Sequence, residues 1–485
     1  MNMELQSKKE IATEVIDKNK DVFTALSDKI WEYAELSLKE FRSAEEYLKT
    51  LSVLGFETES EIAGIKTAFL GKYGKGRPYV AVLGEYDALS GLSQVGGIAY
   101  KKEREKGGNG HGCGHNLLGA GALAAAYGIK EYLKQTGKKG TVFFFGTPGE
   151  EGGAGKAFMA KKDIFRQMDA ALTWHPSDVN EVTTGTCNSC IQVLYKYKGV
   201  ASHAAGNPEH GRSALDAVEL MNTGVQYLRE HTKDDARIHY AIVDGGGLSP
   251  NVVQPTASVL YMVRSKLVKD ALALLARVDK IADGAALMTE TEYDRVFIDG
   301  CSGTVPNHTL EELAYKNLLC ADAPDYSGED WEYAEEIKAT YDTYGRLPGI
   351  AAEYDGEARA EIEKKTNGGK LAINNFVAPL YTGDAFSPGS TDVGDVSWQT
   401  PTVQVYTACF TSGAPGHSWQ NVSLAKSAIG HKGMLYAGKV LAMTAIELFE
   451  NPEALKRAKE EFAMRTKSGY LSPIPDGEYA KPVEI

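Results

Sequence analysis

Four short apolar runs constrain the fold of this chain more than any other feature. The runs are YVAVLG (79–84), TVFFF (141–145), AALTW (170–174) and TVQVYTA (402–408). Continuous apolar runs of this length are typical of strands that are buried on both faces of a parallel sheet. Apolar helical segments are predicted at residues 117–129 and 424–449. The pattern therefore predicts an α/β protein with a mostly parallel central sheet.

Ionisable side chains follow these predicted strands at the end where ligands collect in open α/β sheets. They are Glu85 and Asp87 after the first run, Glu150 and Glu151 after the second, His175 after the third and His417 after the fourth. Two carboxylates at the end of a buried strand are costly unless a cation is near. The adjacent Glu150 and Glu151 face different directions, so one can bind a metal ion while its neighbour transfers a proton.

The stretch GHGCGHN (110–116) adds Cys113 and His115 immediately before the predicted helix 117–129. Thiolate and imidazole suit zinc or a similar divalent ion. Taken alone, a Cys-x-His pair is more often a buried thiol and a hydrogen-bonded histidine. A phosphate-binding loop is the poorer alternative, because the Lys-Ser/Thr pair and the GxGxxG spacing are both missing.

Apart from Glu85, these positions supply one cysteine (Cys113), three histidines (His115, His175 and His417) and three carboxylates (Asp87, Glu150 and Glu151) at the same edge of the predicted sheet. Such a set is enough for two divalent ions that share ligands. Paired ions can activate a water and polarise a carbonyl, while a nearby carboxylate moves the proton. The chain has no Gly-x-Ser-x-Gly sequence that would indicate a serine hydrolase.

The pattern changes after about residue 188. Residues 191–200 alternate between apolar and polar side chains, as in a half-exposed antiparallel strand. Further elements are predicted as strands at 237–244, 252–264 and 292–299 and as helices at 211–231 and 267–286. We therefore predict a catalytic domain in two parts, 1–188 and 303–485, with an α+β insert at 189–302. A helical excursion is expected at about 321–370, and two amphipathic helices at 5–55.

Composition narrows the possible partners and compartment. The formal charge of −13 argues against nucleic acid or an anionic membrane as partner. No apolar run is long enough to span a bilayer, and residues 1–30 lack a signal-peptide pattern. The six cysteines suggest no disulfide framework, and Cys187 and Cys190 are expected to be structural. These features predict a cytoplasmic protein.

Several of these stretches also resemble a known family. GEYDAL, GHGCGHN, PGEEGGAG, WHP, SHAA and SPNVVQP resemble, in this order, the amidohydrolase branch of the co-catalytic metallopeptidases. That family includes aminoacylase, carboxypeptidase G and auxin-conjugate hydrolases. The resemblance covers nearly the whole chain. It implies a zinc-peptidase-like catalytic domain and an inserted lid that also forms a dimer.

The resemblance implies a role for each matching residue. Cys113, His115, Glu151, His175 and His417 match metal ligands, Glu150 matches the general base, and Asp87 matches an aspartate that supports a metal-binding histidine or the metals. Glu85 stands where many relatives carry histidine. In the insert, His203 matches a histidine that stabilises the oxyanion in a neighbouring active site. Asn251 and Arg264 match positions that hold the substrate's carboxylate; otherwise a turn asparagine and a surface arginine would be the simpler interpretation.

The predicted function is metal-dependent hydrolysis of the amide in an N-acyl amino acid, with two zinc or manganese ions per chain. The resemblance implies p-aminobenzoyl-glutamate or a related conjugate as the substrate. It also implies a homodimer, or a heterodimer with a related subunit. A dipeptidase or general aminoacylase is one alternative, and a non-catalytic partner subunit of a hydrolase complex is another. The intact Glu150–Glu151 pair and ligand set argue against the last.

Overall fold

The computed structural model describes residues 3–482. The helices are α1 (Met3–Lys18), α2 (Lys20–Tyr33), α3 (Phe41–Val53), α4 (His115–Thr136), α5 (Gly155–Lys161), α6 (Ala214–Arg229), α7 (Val268–Thr289), α8 (His308–Cys320), α9 (Gly328–Lys338), α10 (Ala351–Tyr354), α11 (Gly356–Lys365), α12 (Val393–Ser397), α13 (Trp419–Leu424), α14 (Ala428–Glu450) and α15 (Pro452–Arg465). The strands are β1 (Glu57–Ser60), β2 (Phe69–Lys75), β3 (Tyr79–Gly84), β4 (Gly140–Gly146), β5 (Ala170–Ser177), β6 (Glu181–Val182), β7 (Thr186–Cys187), β8 (Ser189–Lys198), β9 (Arg237–Asp244), β10 (Thr256–Ser265), β11 (Glu292–Cys301), β12 (Phe386–Ser387) and β13 (Thr402–Ala408).

The larger sheet has seven strands in the order β1-β2-β4-β3-β5-β13-β6. Its four central strands, β4, β3, β5 and β13, are parallel, whereas β1, β2 and β6 pair antiparallel at the edges. The central strands are the four apolar runs of the sequence, and most of their side chains are buried. The predicted α/β class with a mostly parallel central sheet is confirmed.

Helix α4 fixes the position of the GHGCGHN turn, because it packs closely on β5 and α14. A Cβ atom at Gly121 would lie 2.7 Å from the Trp174 ring and 2.9 Å from the Met434 carbonyl oxygen. Only glycine allows the helix to approach its neighbours so closely. The helix starts at His115 directly after Gly114, whose φ is +79°. It is therefore longer at both ends than the predicted helix 117–129.

The prediction of two helices in residues 5–55 is wrong, because the structure has three. The apolar spacing from Ile11 to Trp31 runs through the break between α1 and α2 at Asn19. There the Asn19 side chain donates a hydrogen bond to the Val15 carbonyl, at 2.8 Å. Asparagine competes with the helix by such local bonds, which end α1 without interrupting the apolar face.

The chain divides into two compact units. The first comprises the residues up to Gly185 together with Val305–Phe386 and Val396–Tyr470, and the second comprises Thr186–Thr304, Ser387–Asp395 and the segment from Leu471. The sequence prediction has the insert at 189–302 and the remaining residues in the catalytic part. The second unit also contains two later segments that the sequence pattern placed in the catalytic part. Neither segment has a run of apolar residues that would show where it packs.

The second unit contains a four-stranded antiparallel sheet in the order β11-β8-β10-β9. Helices α6 and α7 cover one face, where the Tyr261 hydroxyl donates to Asn222 and the Tyr195 hydroxyl donates to Asp279, both at 2.6 Å. Strand β9 lies at the edge of this sheet and exposes Tyr240 and Ile242. All four of its strands were predicted, with β9 at its observed bounds.

The predicted structural cysteines do not pair with each other. Cys190 faces Cys301 on the neighbouring strand β11, with the two sulfurs 3.3 Å apart, rather than Cys187. Both residues of the predicted structural pair are buried, and none of the six cysteines forms a disulfide. Over residues 3–482, no helix combines the length and apolar character needed to cross a membrane. The excursion at 321–370 is partly helical, with α9, α10 and α11.

Candidate metal centre

The carboxyl ends of the central strands bring most of the predicted site residues together in the first unit. Three sets of potential ligand atoms each lie within 4.8 Å of one another: Cys113, His115 and His175; Cys113, Glu151 and His417; and Glu85, His115 and Glu150. Every predicted metal ligand belongs to at least one set. The sets share Cys113 and His115, so neighbouring ions could share ligands.

Cys113 and His175 face each other across the site. The Cys113 Sγ lies 3.3 Å from His175 Nε2. The His175 Nδ1–H donates to the Pro176 carbonyl at 2.8 Å, so its Nε2 carries the lone pair that points toward the sulfur. Burial and the nearby His115 lower the pKa of His175 to about 4, which keeps the ring neutral. Strand β5 continues to Ser177, so His175 lies within the strand rather than after it.

The thiol of Cys113 needs a cation if it is to act as a thiolate. Burial raises the pKa of Cys113 well above its ordinary value. Metal coordination deprotonates a thiol outright and so reverses this effect. The chemistry of the Cys113 side chain in this position therefore matches that of a metal ligand.

Asp87 orients His115. The Asp87 Oδ1 lies 2.9 Å from His115 Nδ1, and its Oδ2 accepts hydrogen bonds from the Ser37 hydroxyl (2.7 Å) and the Glu151 N–H (2.9 Å). Burial alone would raise the pKa of Asp87, but the hydrogen bond and charge of His115, together with the hydrogen bonds from Glu151 and Ser37, lower the pKa to about 2. An ionised carboxylate on Nδ1 directs the Nε2 lone pair of the histidine into the site. Of the two roles left open for Asp87, the geometry favours the support of a histidine.

Three buried polar atoms in this cluster have no hydrogen-bond partner: His115 Nε2, Glu85 Oε2 and Glu151 Oε1. His115 Nε2 lies 3.3 Å from the Glu85 oxygen and 4.0 Å from the Glu151 oxygen. A buried polar atom without a partner costs about 1–3 kcal/mol. A divalent cation would provide partners for all three. The residues present therefore fit a metal ion.

His417 completes the set from a loop after β13. Its Nε2 lies 3.6 Å from Glu151 Oε2, and its side chain is 55% exposed. Its φ of +51° is in the left-handed region, which a non-glycine residue adopts only at a cost. The exposed imidazole places the outer side of the cluster next to solvent, from which a substrate can enter.

Glu150 and Glu151 lie in the bend after β4. Both are partly buried, and burial raises the pKa of Glu151. The bend is held by the Gly149 N–H, which donates to Glu40 Oε1 at 2.9 Å. Gly149 has a φ of +72°, which this turn requires and which glycine adopts without strain.

Two buried ionisable residues beside the cluster, Lys156 and Glu40, are not predicted from the sequence. Lys156 is fully buried on α5, and its Nζ lies 2.7 Å from Glu85 Oε1. Burial alone would raise the pKa of Glu85, but the Lys156 ammonium, together with His115 and His175, lowers it. Glu40 is also fully buried beside Asp87. A lysine in the apolar context GKAFMA was the one available signal, whereas nothing near Glu40 in the sequence indicated its burial.

The three predicted substrate-binding residues lie in the second unit. His203 and Asn251 are exposed neighbours, since His203 bridges to Val252 and the Ala204 N–H donates to the Asn251 carbonyl at 2.9 Å. The His203 Nδ1 accepts hydrogen bonds from the Ala205 and Gly206 N–H groups, at 3.2 and 2.9 Å. In the neutral ring the proton is therefore on Nε2, which is left as a donor.

Arg264 lies apart from these two residues, half-buried on β10. Its guanidinium donates to the Ser390 hydroxyl at 3.1 Å and contacts the sulfur of Met262. Within the described residues it forms no ion pair with a carboxylate. An arginine of this kind can bind a carboxylate from outside through two parallel hydrogen bonds.

Comparisons with known proteins agree with this geometry. The model of a family described as peptidase family M20/M25/M40 matches residues 81–429. The chain is 43% identical to one subunit of the p-aminobenzoyl-glutamate hydrolase of Escherichia coli (strain K12), over 97% of this chain and 98% of that protein. It is 28% identical to the Xaa-Arg dipeptidase of Mus musculus, over 96% and 95% of the two chains. The crystal structure of a Bacillus subtilis protein described as a dinuclear metal binding peptidase of the M20 family has the same fold, with a TM-score of 0.53, 16% identity and coverage of 90% and 99%.

Proposed function

Because this chain belongs to peptidase family M20/M25/M40, we propose that it is a metal-dependent amidohydrolase whose substrate is p-aminobenzoyl-glutamate or a related N-acyl amino acid. As a member of that family, it is a hydrolase of amide bonds. The substrate class is supported by 43% identity to the Escherichia coli hydrolase subunit over nearly the full length of both chains.

One observation carries the proposal. Buried donor atoms of a cysteine, histidines and carboxylates converge at the strand ends, and three of them have no hydrogen-bond partner. The cluster can hold metal. We propose two ions per chain, zinc or manganese, held by Cys113, His115, Glu151, His175 and His417. The thiolate favours zinc, whereas the carboxylates and imidazoles also suit manganese.

When bound by these residues, such ions would polarise the amide carbonyl and favour ionisation of the attacking water. Glu150 accepts the proton of that water and delivers it to the amide nitrogen as the C–N bond breaks. The products are a carboxylate and an amine; from p-aminobenzoyl-glutamate these are p-aminobenzoate and glutamate. Asp87 keeps His115 in the tautomer that leaves Nε2 available.

The second unit is proposed to act as the lid and the dimerisation surface. His203 Nε2–H donates to the oxyanion in the active site of a neighbouring chain, and Asn251 and Arg264 hold the substrate's carboxylate. The exposed edge of β9, with Tyr240 and Ile242, can pair with another chain. A homodimer is the simplest assembly, and a heterodimer is also supported, because the Escherichia coli relative is named as one subunit of its hydrolase. We place the enzyme in the cytoplasm, since none of its cysteines is paired in a disulfide.

A dipeptidase is the second candidate, supported by 28% identity to the Xaa-Arg dipeptidase over 96% of this chain. A general aminoacylase would use the same site. A non-catalytic partner subunit is disfavoured, because Glu150 and the whole proposed ligand set are present.

The proposal is tested by assaying the purified chain alone, after loading with zinc or manganese. The panel contains p-aminobenzoyl-glutamate, dipeptides with C-terminal arginine and N-acetyl amino acids, and products are separated by chromatography. We expect release of p-aminobenzoate, with Glu150→Gln as the inactive control. Preferred cleavage of the dipeptides would favour the second candidate. Metal-loaded protein that cleaves nothing until another subunit is added, in a mixture where Glu150→Gln is as active as the wild type, would establish the non-catalytic role.

A further inference from the structure

A buried ion pair adjoins the proposed metal centre. Lys156 is fully buried, and Glu85 is 2% exposed. The Lys156 Nζ lies 2.7 Å from Glu85 Oε1. Burying two charges is costly, and a buried pair of this kind is weak evidence for a purely stabilising role. The presence of this pair next to the proposed ligands, with Glu85 directly after β3, therefore needs an explanation other than stability.

Only one of the two carboxylate oxygens of Glu85 has a partner. Its Oε1 faces Lys156, while its Oε2 is buried without a hydrogen-bond partner and lies 3.3 Å from His115 Nε2. The histidine nitrogen has no hydrogen-bond partner either. In the neutral form that a metal ligand requires, His115 donates its Nδ1–H to Asp87, so the Nε2 lone pair faces the Glu85 oxygen. Two facing acceptors are stabilised by a cation between them.

The spacing of these two atoms agrees with that of ligands on one ion. Nitrogen and oxygen donors bound at about 2.0–2.1 Å to a tetrahedral ion lie roughly 3.3 Å apart. We propose that Glu85 is an additional metal ligand and that Lys156 holds its carboxylate in the binding orientation. This inference rests on the proposed metal centre and adds a carboxylate ligand where relatives were expected to carry histidine. Lys156 is a positioning residue, since it acts through Glu85.

A purely structural ion pair is the competing explanation. In that case the loss of Glu85 and Lys156 would change the stability of the fold and leave metal binding as it was. The two explanations therefore differ in a readout other than activity, namely the affinity for metal.

The test uses the double variant Glu85→Gln/Lys156→Met, which removes both charges and leaves no single buried charge behind. The matched control is Lys9→Met/Glu447→Gln. Lys9 is 2% exposed, and its Nζ lies 2.5 Å from Glu447 Oε2. That pair joins α1 to α14, neither of which carries a proposed ligand. Each full-length protein is loaded with zinc and titrated with a competing chelator, and the retained zinc is measured by elemental analysis.

We expect the Glu85 double variant to release zinc at a chelator concentration at least tenfold lower than the wild type does, whereas the control double variant releases it as the wild type does. Lys156→Gln should weaken zinc binding by about 10–100-fold, as is usual when a residue that orients a ligand is lost. If the Glu85 double variant does not fold, Glu85→Asp replaces it. Aspartate keeps the charge but is too short to reach both Lys156 and the ion, so it should also weaken binding.

Wild-type zinc retention in the folded Glu85 variants would overturn the assignment of Glu85 as a ligand. Wild-type retention in Lys156→Gln would overturn the positioning role of Lys156. A wild-type protein that binds no zinc or manganese at all would instead contradict the proposed metal centre itself, so the two failures are distinguishable.

Discussion

The sulfur of Cys113 lies 3.3 Å from Nε2 of His175, although the two residues are contributed by different elements, the turn before α4 and strand β5. A sulfur and an imidazole nitrogen at this distance are suited to share a cation. The first prediction is that the purified protein carries one to two divalent ions per chain. Chelation should abolish amide hydrolysis, and zinc or manganese should restore it. Elemental analysis that finds no metal, together with chelator-resistant turnover, would contradict this prediction.

Substitution of Glu150 should impair proton transfer alone, whereas substitution of Glu151 should also impair metal binding. Glu150→Gln should retain its metal and lose about 10²–10⁴-fold in kcat, since general acid–base catalysis contributes that much. Glu151→Gln should lose metal as well as rate, because its carboxylate contacts both His115 and His417. Metal content and kcat are measured on the same preparations. Full metal content in both variants would show that the two roles are wrongly assigned.

His203 should act on the active site of a neighbouring chain. His203→Ala should fold and bind metal normally but lose about a hundredfold in turnover, as expected for an oxyanion donor. Mixed with inactive Glu150→Gln protein, it should form hybrid dimers that pair an intact catalytic site with an intact lid histidine. Recovered activity supports this arrangement. The absence of recovery, once subunit exchange has been demonstrated, would place His203 elsewhere.

Arg264 should recognise the carboxylate of the substrate. Hydrogen bonds to a charged group contribute about 1.5–3 kcal/mol, so Arg264→Met should lower kcat/KM by roughly 10–150-fold. A conjugate with an amidated carboxylate should be cleaved equally by the wild type and the variant. Arg295→Met is the control, because Arg295 already pairs with Asp279 in the same unit at 2.8 Å. A similar loss of kcat/KM in both variants would indicate damage to the unit rather than loss of recognition.

Glu40 should make stability depend on pH. Burial and the neighbouring Asp87 carboxylate raise the pKa of Glu40 to about 8, from an ordinary value of 4.5. The folded state therefore holds a proton that the unfolded state has lost, so the free energy of unfolding falls as pH rises through this window. Glu40→Gln cannot ionise and should lose this part of the pH dependence, which is at most about 1.4 kcal/mol per pH unit.

The measurement is chemical denaturation of the metal-free protein at several pH values between 5 and 8. Glu45→Gln, an exposed position on α3, the helix that follows Glu40, is the control and should follow the wild type. An unchanged pH dependence in Glu40→Gln would show that Glu40 is ionised in the folded protein.

The sequence pattern was enough to predict the central sheet and much of the ligand cluster. Each central strand is a run of apolar residues, and ionisable residues lie at or just after its carboxyl end. Glu85, Asp87 and His175 could be placed at one edge from this alone. The burial of Lys156 against Glu85 could not be predicted, since it depends on how α5 packs. The contact of Glu40 with Gly149 could not be predicted either, since the two residues are more than 100 positions apart in the chain. The break at Asn19 was missed because a local hydrogen bond ends α1 while the apolar spacing continues. The roles of His203, Asn251 and Arg264 rest on the family resemblance.

The proposed ligands Cys113 and His417 lie about 300 residues apart, with most of the second unit between them. A ribosome adds about 5–20 residues per second, so roughly 15–60 s separate the synthesis of the two side chains. Throughout that time the nascent chain offers a cysteine, histidines and a carboxylate without the last donor. Full coordination can be reached only near the end of translation. The proposed ligands alone would favour whichever divalent ion present competes most strongly for nitrogen, oxygen and sulfur donors. The ion that is bound would therefore depend on which metals are available where folding finishes.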